Sequence, residues 1–204
     1  MKLFSLHSNT HTGFTLIEFI VIMMIFAVMV GVALFNFNGF RSAVTLDNLA
    51  HDIGISIRQI QSSAGSALSG DSATDEIPRG IYFGPDESNN QIFSKSFTLF
   101  EDKISPGGLY DSGEKIDTIK IQTADYISEI TYKIGVDEPL PILPSDGLGI
   151  TFKRYKTDAM FSSGNPDVSR ASEVKIMVSS PSSDGTIGRT RTITVSRIGQ
   201  VSIQ

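Results

Sequence analysis

The chain has 204 residues, of which 40% are hydrophobic and 19% charged, a length typical of one domain with room for one further element. Its net charge of -5 argues against broad electrostatic binding to nucleic acid or anionic lipid, so any basic site must be local. The chain contains no cysteine, which excludes disulfides, a thiol nucleophile and a cysteine zinc site.

Charges are almost absent from the N-terminal region, where Glu18 is the only charged residue between Phe14 and Phe40. Residues 14–35 form an apolar run that would be about 33 Å long as a helix, enough to cross a hydrocarbon core of about 30 Å. The apolar region of a signal peptide is shorter, about 7 to 15 residues, and ends at a small-residue cleavage site, which this run lacks. We therefore expect a retained membrane-spanning helix. Lys2 and Arg41 flank it on opposite sides, so charge does not set its orientation.

Glu18 is unusual because a charged side chain at mid-bilayer costs about 2.5 to 3.5 kcal/mol on insertion scales. If the chain were cut between Gly13 and Phe14, Glu18 would lie four residues beyond a new ammonium group. It would then occupy the first turns of a helix, where a negative charge suits the helix dipole. Two interpretations remain open from the residues alone: a functional carboxylate, or a glutamate that merely snorkels to the interface.

The segment Gly13-Phe14-Thr15-Leu16-Ile17-Glu18 joins a short polar leader to the apolar run. It resembles the prepilin cleavage and methylation motif of type IV pilins and type II secretion pseudopilins. The resemblance implies that a prepilin peptidase cuts after Gly13 and methylates the amine of Phe14. It also implies that Glu18 assists assembly by docking against a neighbour's N-terminal amine. The chain departs from many family members in having no proline before Pro78.

A second helical pattern follows residue 39. Apolar residues recur at spacings of three and four, which indicates one buried face of a helix; they are Leu46, Leu49, Ile53, Ile57, Ile60 and Ala64. We predict a helix from about Phe14 to about Ala64, with its first half in lipid and its second half packed on a domain. His51, the only histidine after the leader, is interpreted as a solvated helix residue.

After a predicted polar loop at residues 65–76, the apolar period changes to two, which is typical of half-buried antiparallel strands. The alternating segments are Ile130–Ile134, Leu148–Phe152, Val174–Val178 and Ile193–Val195, and shorter apolar runs occur at Gly80–Phe83, Ser96–Phe100 and Ile116–Ile121. The last 16 residues indicate a hairpin that turns near Gly199. Turn-rich stretches are expected at Pro106–Glu114, Val136–Gly147 and Thr157–Ala171.

The expected fold is α+β: a long N-terminal helix, membrane-spanning in its first half, packed on an antiparallel β-sheet domain. The predicted parts are a leader at 1–13, a membrane or filament-core helix at 14–37, an amphipathic second half at 38–66 and a β-rich globular domain at 67–204. The segments Arg79–Phe83, Phe97–Asp102, Tyr110–Glu114 and Ile193–Val201 resemble the H-type minor pseudopilins and FimT-like minor pilins, as does the helix segment Leu49–Ala64. Over these segments the resemblance implies a pilin-like fold.

Other chemistry has little support. Asp102, Asp111 and Glu114 suggest calcium by composition but lack the D-x-D-x-D-G order, so we interpret them as an acidic solvated turn and expect no metal or other cofactor. Arg189, Arg191 and Arg197 lie on or beside the final hairpin, and at least the first two share a sheet face. They form a possible nucleic-acid contact. No nucleophile has a histidine and an acid arrayed around it, so we expect no enzymatic activity.

The resemblance thus implies a minor pilin or pseudopilin subunit, processed by prepilin peptidase and assembled through its N-terminal helix into a type IV pilus or type II secretion pseudopilus. Its expected partners are the peptidase, other pilin or pseudopilin subunits, the inner-membrane assembly platform and membrane lipid before assembly. The expected location is the bacterial inner membrane, crossed once, with the globular domain outside the cytoplasm. Two alternatives stay open: a DNA-binding minor pilin for DNA uptake, and a signal-anchored enzyme.

Overall fold

The computed structural model describes residues 13, 15–66, 77–86, 92–103, 107–154, 156–181 and 187–204. The side chains at 35–40, 66 and 187 are not among those described. The predicted leader at 1–12, Phe14 and residues 67–76 of the predicted polar loop lie outside the described residues.

Helix α1 runs from Leu16 to Ser66, 51 residues, and agrees with the predicted helix to within two residues at each end. The chain divides into two compact units, Met1–Arg41 and Ser42–Gln204. The first unit holds the apolar half of α1, and the second holds the rest of α1 and the strands. The described part of the protein is therefore α+β, as predicted.

The strands of the second unit form two five-stranded antiparallel sheets. In chain order they are β1 Arg79–Phe83, β2 Ser96–Glu101, β3 Lys115–Lys120, β4 Tyr126–Lys133, β5 Leu140–Ile142, β6 Leu148–Phe152, β7 Ala159–Ser162, β8 Glu173–Pro181, β9 Ile187–Ser196 and β10 Val201–Ile203. The first sheet has the order β3-β2-β1-β6-β7 and the second has the order β10-β9-β8-β4-β5. The sequence pattern predicted antiparallel strands but did not divide them between two sheets.

The second half of α1 shares one hydrophobic core with both sheets. All six residues of its predicted apolar stripe are buried, and Ile53 and Ile57 have no exposed surface. From the strands, the core takes side chains at alternate positions, such as Ile81 and Phe83 on β1 and Val174 and Ile176 on β8. The predicted helix stripe and the alternation on β1 and β8 are confirmed, because each is set by the need to bury one face. The prediction of a half-buried strand is wrong for Leu148–Phe152, because every residue of β6 is buried.

Polar contacts fix α1 to the C-terminal hairpin as well. Arg58 Nη2 donates to the carbonyl oxygen of Val201 at 2.9 Å. Gln61 Nε2 donates to the carbonyl oxygens of Thr157 and Gly199, at 2.9 and 3.2 Å. Gly199 lies in the turn between β9 and β10, as predicted, with a φ of 81° that favours glycine. The hairpin is therefore held to the helix by backbone groups as well as by apolar packing.

Two of the predicted turn-rich stretches contain further structure, so this prediction is wrong for them. Val136–Gly147 contains strand β5 and a 3₁₀ helix at Pro144–Asp146, and Thr157–Ala171 contains strand β7 and a 3₁₀ helix at Pro166–Arg170. Both strands are the outermost of their sheets. Each is short, with three residues in β5 and four in β7, so too few residues alternate to indicate a strand in the sequence.

Candidate functional site: the N-terminal apolar helix

The first half of α1 is apolar on all sides, and none of the described residues of its unit covers it. Leu16–Leu34 has a mean hydropathy of 2.8, and none of its hydrophobic window is buried. A core helix of a soluble protein can be equally apolar, but it is mostly buried. By length and composition, this helix can span a membrane. Signal sequences near an N-terminus satisfy the same criterion.

The helix begins with a side-chain cap. The backbone N–H of Glu18 donates to Thr15 Oγ1 at 3.3 Å, and the N–H of Phe19 donates to the carbonyl oxygen of Thr15 at 3.2 Å. Thr15 therefore occupies the N-cap position and satisfies one of the free N–H groups of the first turn. The spacing Thr-x-x-Glu is that of a capping box, which is the signal in the sequence for this cap.

The cap places Glu18 in the first turn of α1, where its side chain is exposed. A carboxylate here interacts favourably with the positive end of the helix dipole, by about 0.3 to 1 kcal/mol. Glu18 is also the only charged residue in Leu16–Leu34. Among the described residues, this end of α1 therefore presents one carboxyl group, that of Glu18, beside a large apolar surface.

Gly13 lies just before the cap and is exposed. A Cβ added at Gly13 would meet no atom within 4 Å. Phe14, the predicted methylation site, lies outside the described residues. Of the residues around the predicted cleavage position, the structure thus describes Gly13 and Thr15. Thr15 caps the start of the helix through the N–H of Glu18.

The three arginines proposed as a nucleic-acid contact have different surroundings. Arg191 pairs through Nε with the carboxylate of Asp47 on α1. Arg197 Nη1 donates to the carbonyl oxygens of Ser169 and Ala171, at 2.9 and 3.0 Å. Arg189 is exposed, and its side chain makes no hydrogen bond to the described residues. Two of the three guanidinium groups are therefore engaged in contacts within the second unit.

The acidic residues of the 102–114 segment organise its backbone. Asp102 Oδ2 accepts the N–H of Gly108 at 2.7 Å. The two carboxylate oxygens of Glu114 accept the N–H groups of Lys103 at 2.7 Å and Asp111 at 3.1 Å. Asp102 and Glu114 are only 2% and 3% exposed. The predicted solvated turn is therefore wrong for these two residues, and Asp111 alone of the three is exposed.

Burial raises the pKa of Asp102 above its ordinary value, and the nearby Glu114 carboxylate acts in the same direction. The hydrogen bond from Gly108 opposes this rise only in part. Among the described residues, no group of three or more histidine, cysteine, aspartate or glutamate side chains is placed to hold a metal ion. His51 is exposed, as predicted, with Nδ1 2.8 Å from the carbonyl oxygen of Asp47.

No protein-family model matches the chain. No curated protein and no solved structure matches it either.

Proposed function

We propose that the protein is a minor pilin or pseudopilin subunit. In this proposal a prepilin peptidase cuts after Gly13 and methylates the new amine of Phe14. The apolar half of α1 first holds the subunit in the bacterial inner membrane and then packs among the equivalent helices of a filament at the assembly platform. The globular domain lies outside the cytoplasm.

The observation that carries the proposal is the exposed apolar surface of Leu16–Leu34, which begins within the Gly13–Glu18 motif and contains one carboxylate, that of Glu18. Such a surface needs lipid or other apolar helices around it. A simple anchor would be satisfied by lipid alone. Neighbouring helices can replace lipid around the same surface, so a subunit stored in the membrane can enter a filament.

The cost of Glu18 favours a partner for its charge. An ionised side chain at mid-bilayer costs about 2.5 to 3.5 kcal/mol on insertion scales, and a position near the interface lowers this cost. The helix dipole offsets only about 0.3 to 1 kcal/mol. A neighbouring Phe14 ammonium inside a poorly hydrated helix bundle would supply a much stronger attraction. We therefore assign Glu18 to subunit pairing in the filament.

The first test concerns cleavage. The full chain is expressed with a prepilin peptidase, and its intact mass is measured. We expect the loss of residues 1–13 and the gain of one methyl group. Gly13→Leu should block cutting. Gly31→Leu is the matched control, because a Cβ at Gly31 also meets nothing within 4 Å, and it should be cut like the parent. A parent chain that still begins at residue 1 or 2 would refute the proposal.

The second test separates assembly from anchoring and from helix capping. Glu18→Leu should be cut and inserted into the membrane, yet enter filaments poorly when measured by cross-linking to the major subunit. Thr15→Val removes the capping hydroxyl but keeps the charge, so it should assemble better than Glu18→Leu. If Glu18→Leu incorporates like the parent, the pairing role is wrong. If Thr15→Val reproduces the full defect, Glu18 acts through the helix end instead.

A further inference from the structure

The first sheet has a polar trough on its outer face, the face turned away from the core. On this face Tyr82 of β1 lies beside Thr98 of β2, which lies beside Thr118 of β3. The trough has a volume of about 460 Å³, within the range of ligand pockets, about 300 to 1,000 Å³. Besides these residues, it is lined by Tyr110, two serines, a glycine, a proline and the lysines Lys115 and Lys120. Among the described residues, none of those that line the trough is acidic.

A β-bulge brings the second lysine to the trough. On β3, Lys120 and Thr118 share the outer face, and strict alternation would turn Lys115 to the opposite face. The pairing shifts between Leu99 and Phe100, where Ile116 is the extra residue on β3. This irregularity places Lys115 opposite Phe100, a residue of the outer face. Bulges commonly redirect a side chain beside a binding site, and this one adds a positive charge to the trough.

Tyr82 is held in a fixed position beside the lysines. A Cβ at Gly84 would lie 2.6 Å from Tyr82 Cε1, and a Cβ at Gly147 would lie 2.4 Å from the Tyr82 hydroxyl oxygen. The ring centroids of Tyr82 and Tyr110 are 5.3 Å apart. Neither phenolic hydroxyl makes a hydrogen bond to the described residues. Within the described part of the chain, both hydroxyl groups therefore have capacity to bond a ligand.

The floor of the trough supplies further hydroxyl groups. Ser94 Oγ and Ser96 Oγ are 2.9 Å apart, and Thr98 Oγ1 and Thr118 Oγ1 are 3.5 Å apart. Each hydroxyl can both donate and accept, so these pairs can exchange their mutual bonds for bonds to a ligand. Such a lining suits a molecule that itself carries many hydroxyl groups.

We propose that this trough binds an acidic oligosaccharide, a short sugar chain that carries carboxylate or phosphate groups. The serine, threonine and tyrosine hydroxyls bond the sugar hydroxyls. Lys115 and Lys120 pair with the acidic groups, since neither lysine forms an ion pair with the described residues. They stand five positions apart on a strand that rises about 3.3 Å per residue, so they span roughly 15 Å and contact different sugar units.

The same surface is less suited to single-stranded nucleic acid. Bases bind such proteins by stacking on open aromatic faces along a strongly basic groove. Here Tyr82 lies against two glycines, and Tyr110 packs with its ring centroid 5.7 Å from that of Phe100 as well as against Tyr82. Two lysines also neutralise few phosphates. The proposal does not depend on filament assembly, because every residue of the trough belongs to the second unit.

The test is calorimetric titration of the full chain in detergent. The probes are trigalacturonate, which carries carboxylates, phosphorylated maltotriose, which carries phosphate, and maltotriose, which is neutral. We expect one or both acidic probes to bind and neutral maltotriose to bind at least fivefold more weakly. Lys115→Gln and Lys120→Gln should each weaken the acidic probe about fivefold, the equivalent of about 1 kcal/mol for an exposed ion pair. Tyr82→Phe, which removes only the hydroxyl, should weaken it by a similar factor.

Lys133→Gln is the matched control, since Lys133 is a partly exposed lysine on β4 of the second sheet. It should bind the acidic probe like the parent. Circular dichroism melts identify variants that fail to fold, and Tyr82→Phe then provides the test with the lysines intact. No binding of either acidic probe, or equal affinity of the trough variants and the control, overturns the proposal. Binding of a single-stranded oligonucleotide without either sugar also overturns it.

Discussion

Replacement of Gly199 by alanine tests how firmly the β9–β10 hairpin is held against its surroundings. Gly199 has a φ of 81°, and the left-handed conformation costs an L-residue about 1 to 2 kcal/mol. An added Cβ would lie 1.9 Å from the carbonyl oxygen of Thr157 and 2.5 Å from Gln61 Nε2. The oxygen belongs to the backbone, so the turn itself must move, and overpacking of this kind costs about 1 to 3 kcal/mol. We expect Gly199→Ala to lower the free energy of unfolding by about 2 to 5 kcal/mol.

Substitutions at two other glycines separate the conformational cost of the positive φ from the cost of the steric clash. Gly135 also has a positive φ, 60°, but a Cβ there meets nothing within 4 Å, so Gly135→Ala should cost only the conformational part, about 1 to 2 kcal/mol. Gly65 is helical with equally open space, and alanine is favoured over glycine in a helix by up to about 1 kcal/mol. Gly65→Ala should therefore leave stability unchanged or raise it.

The measurement is urea unfolding of each full-length variant in mild detergent, followed by far-ultraviolet circular dichroism. The expected order of destabilisation is Gly199→Ala, then Gly135→Ala, then Gly65→Ala. If Gly199→Ala costs no more than Gly135→Ala, the hairpin can move away from Thr157 without loss. The close contact, and the hydrogen bonds of Gln61 beside it, would then not hold the hairpin in place.

Three further predictions concern the second unit. Ile53→Asp should lower the free energy of unfolding by about 4 kcal/mol or more in the same urea assay, because it buries an unpaired charge. The control Ile53→Val should lower it by about 1 kcal/mol. Equal losses of stability for the two variants would contradict the burial of Ile53. The raised pKa of Asp102 means that the folded state holds this proton more tightly than the unfolded state. Stability should therefore fall as pH rises from about 3.8 through the pKa of Asp102 in the folded state. Asp102→Asn should remove this pH-dependent loss of stability. If the variant and the parent depend on pH in the same way, the raised pKa of Asp102 is refuted. Hydrogen bonds from Lys103 and Arg79 lower the pKa of Glu101. The stabilisation by the ionised Glu101 is therefore present above about pH 4.5 and is lost as the pH falls through the pKa of Glu101 in the folded state. Glu101→Gln should therefore lose less stability than the parent as the pH falls below about 4.5. An equal loss in the two proteins would contradict the pairing of Glu101 with Lys103 and Arg79.

Much of the fold could be predicted because burial leaves a periodic pattern in the sequence. The helix stripe from Leu46 to Ala64 and the alternation Val174–Val178 are both explained by one buried face. Strand β5 has no such pattern, and β7 alternates over only four residues. β5 has three residues, includes Pro141 and bonds only to β4, so its partner fixes its conformation. No local rule distinguishes such an edge strand from a turn.

The features of the candidate sites also divide into those set by local sequence spacing and those set by the tertiary fold. The cap at Thr15 depends on residues three positions apart and could have been found from the Thr-x-x-Glu spacing. The burial of Asp102 could not, because it depends on the fold of the 102–114 segment and on the contact with Gly108. The trough was also beyond prediction, since strict alternation places Lys115 on the wrong face of β3 until the bulge at Ile116 is known.

The arginines of the last hairpin show why a shared sheet face is not yet a binding surface. Alternation in the sequence predicted Arg189 and Arg191 on one face, but the β8–β9 pairing shifts register between Ser179 and Pro181, beside Arg189. Helix α1 also supplies Asp47 to Arg191. That pair is half exposed and costs only about 0.2 to 1 kcal/mol to break, so a phosphate could displace Asp47. To bind a phosphate, Arg197 would have to break its hydrogen bonds to two carbonyl oxygens. At most about two phosphates can then be neutralised cheaply, and the affinity for duplex DNA would fall only about twelvefold between 50 and 200 mM salt. DNA capture by this hairpin alone would therefore be weak and only modestly sensitive to salt, which leaves the apolar helix as the stronger basis for function.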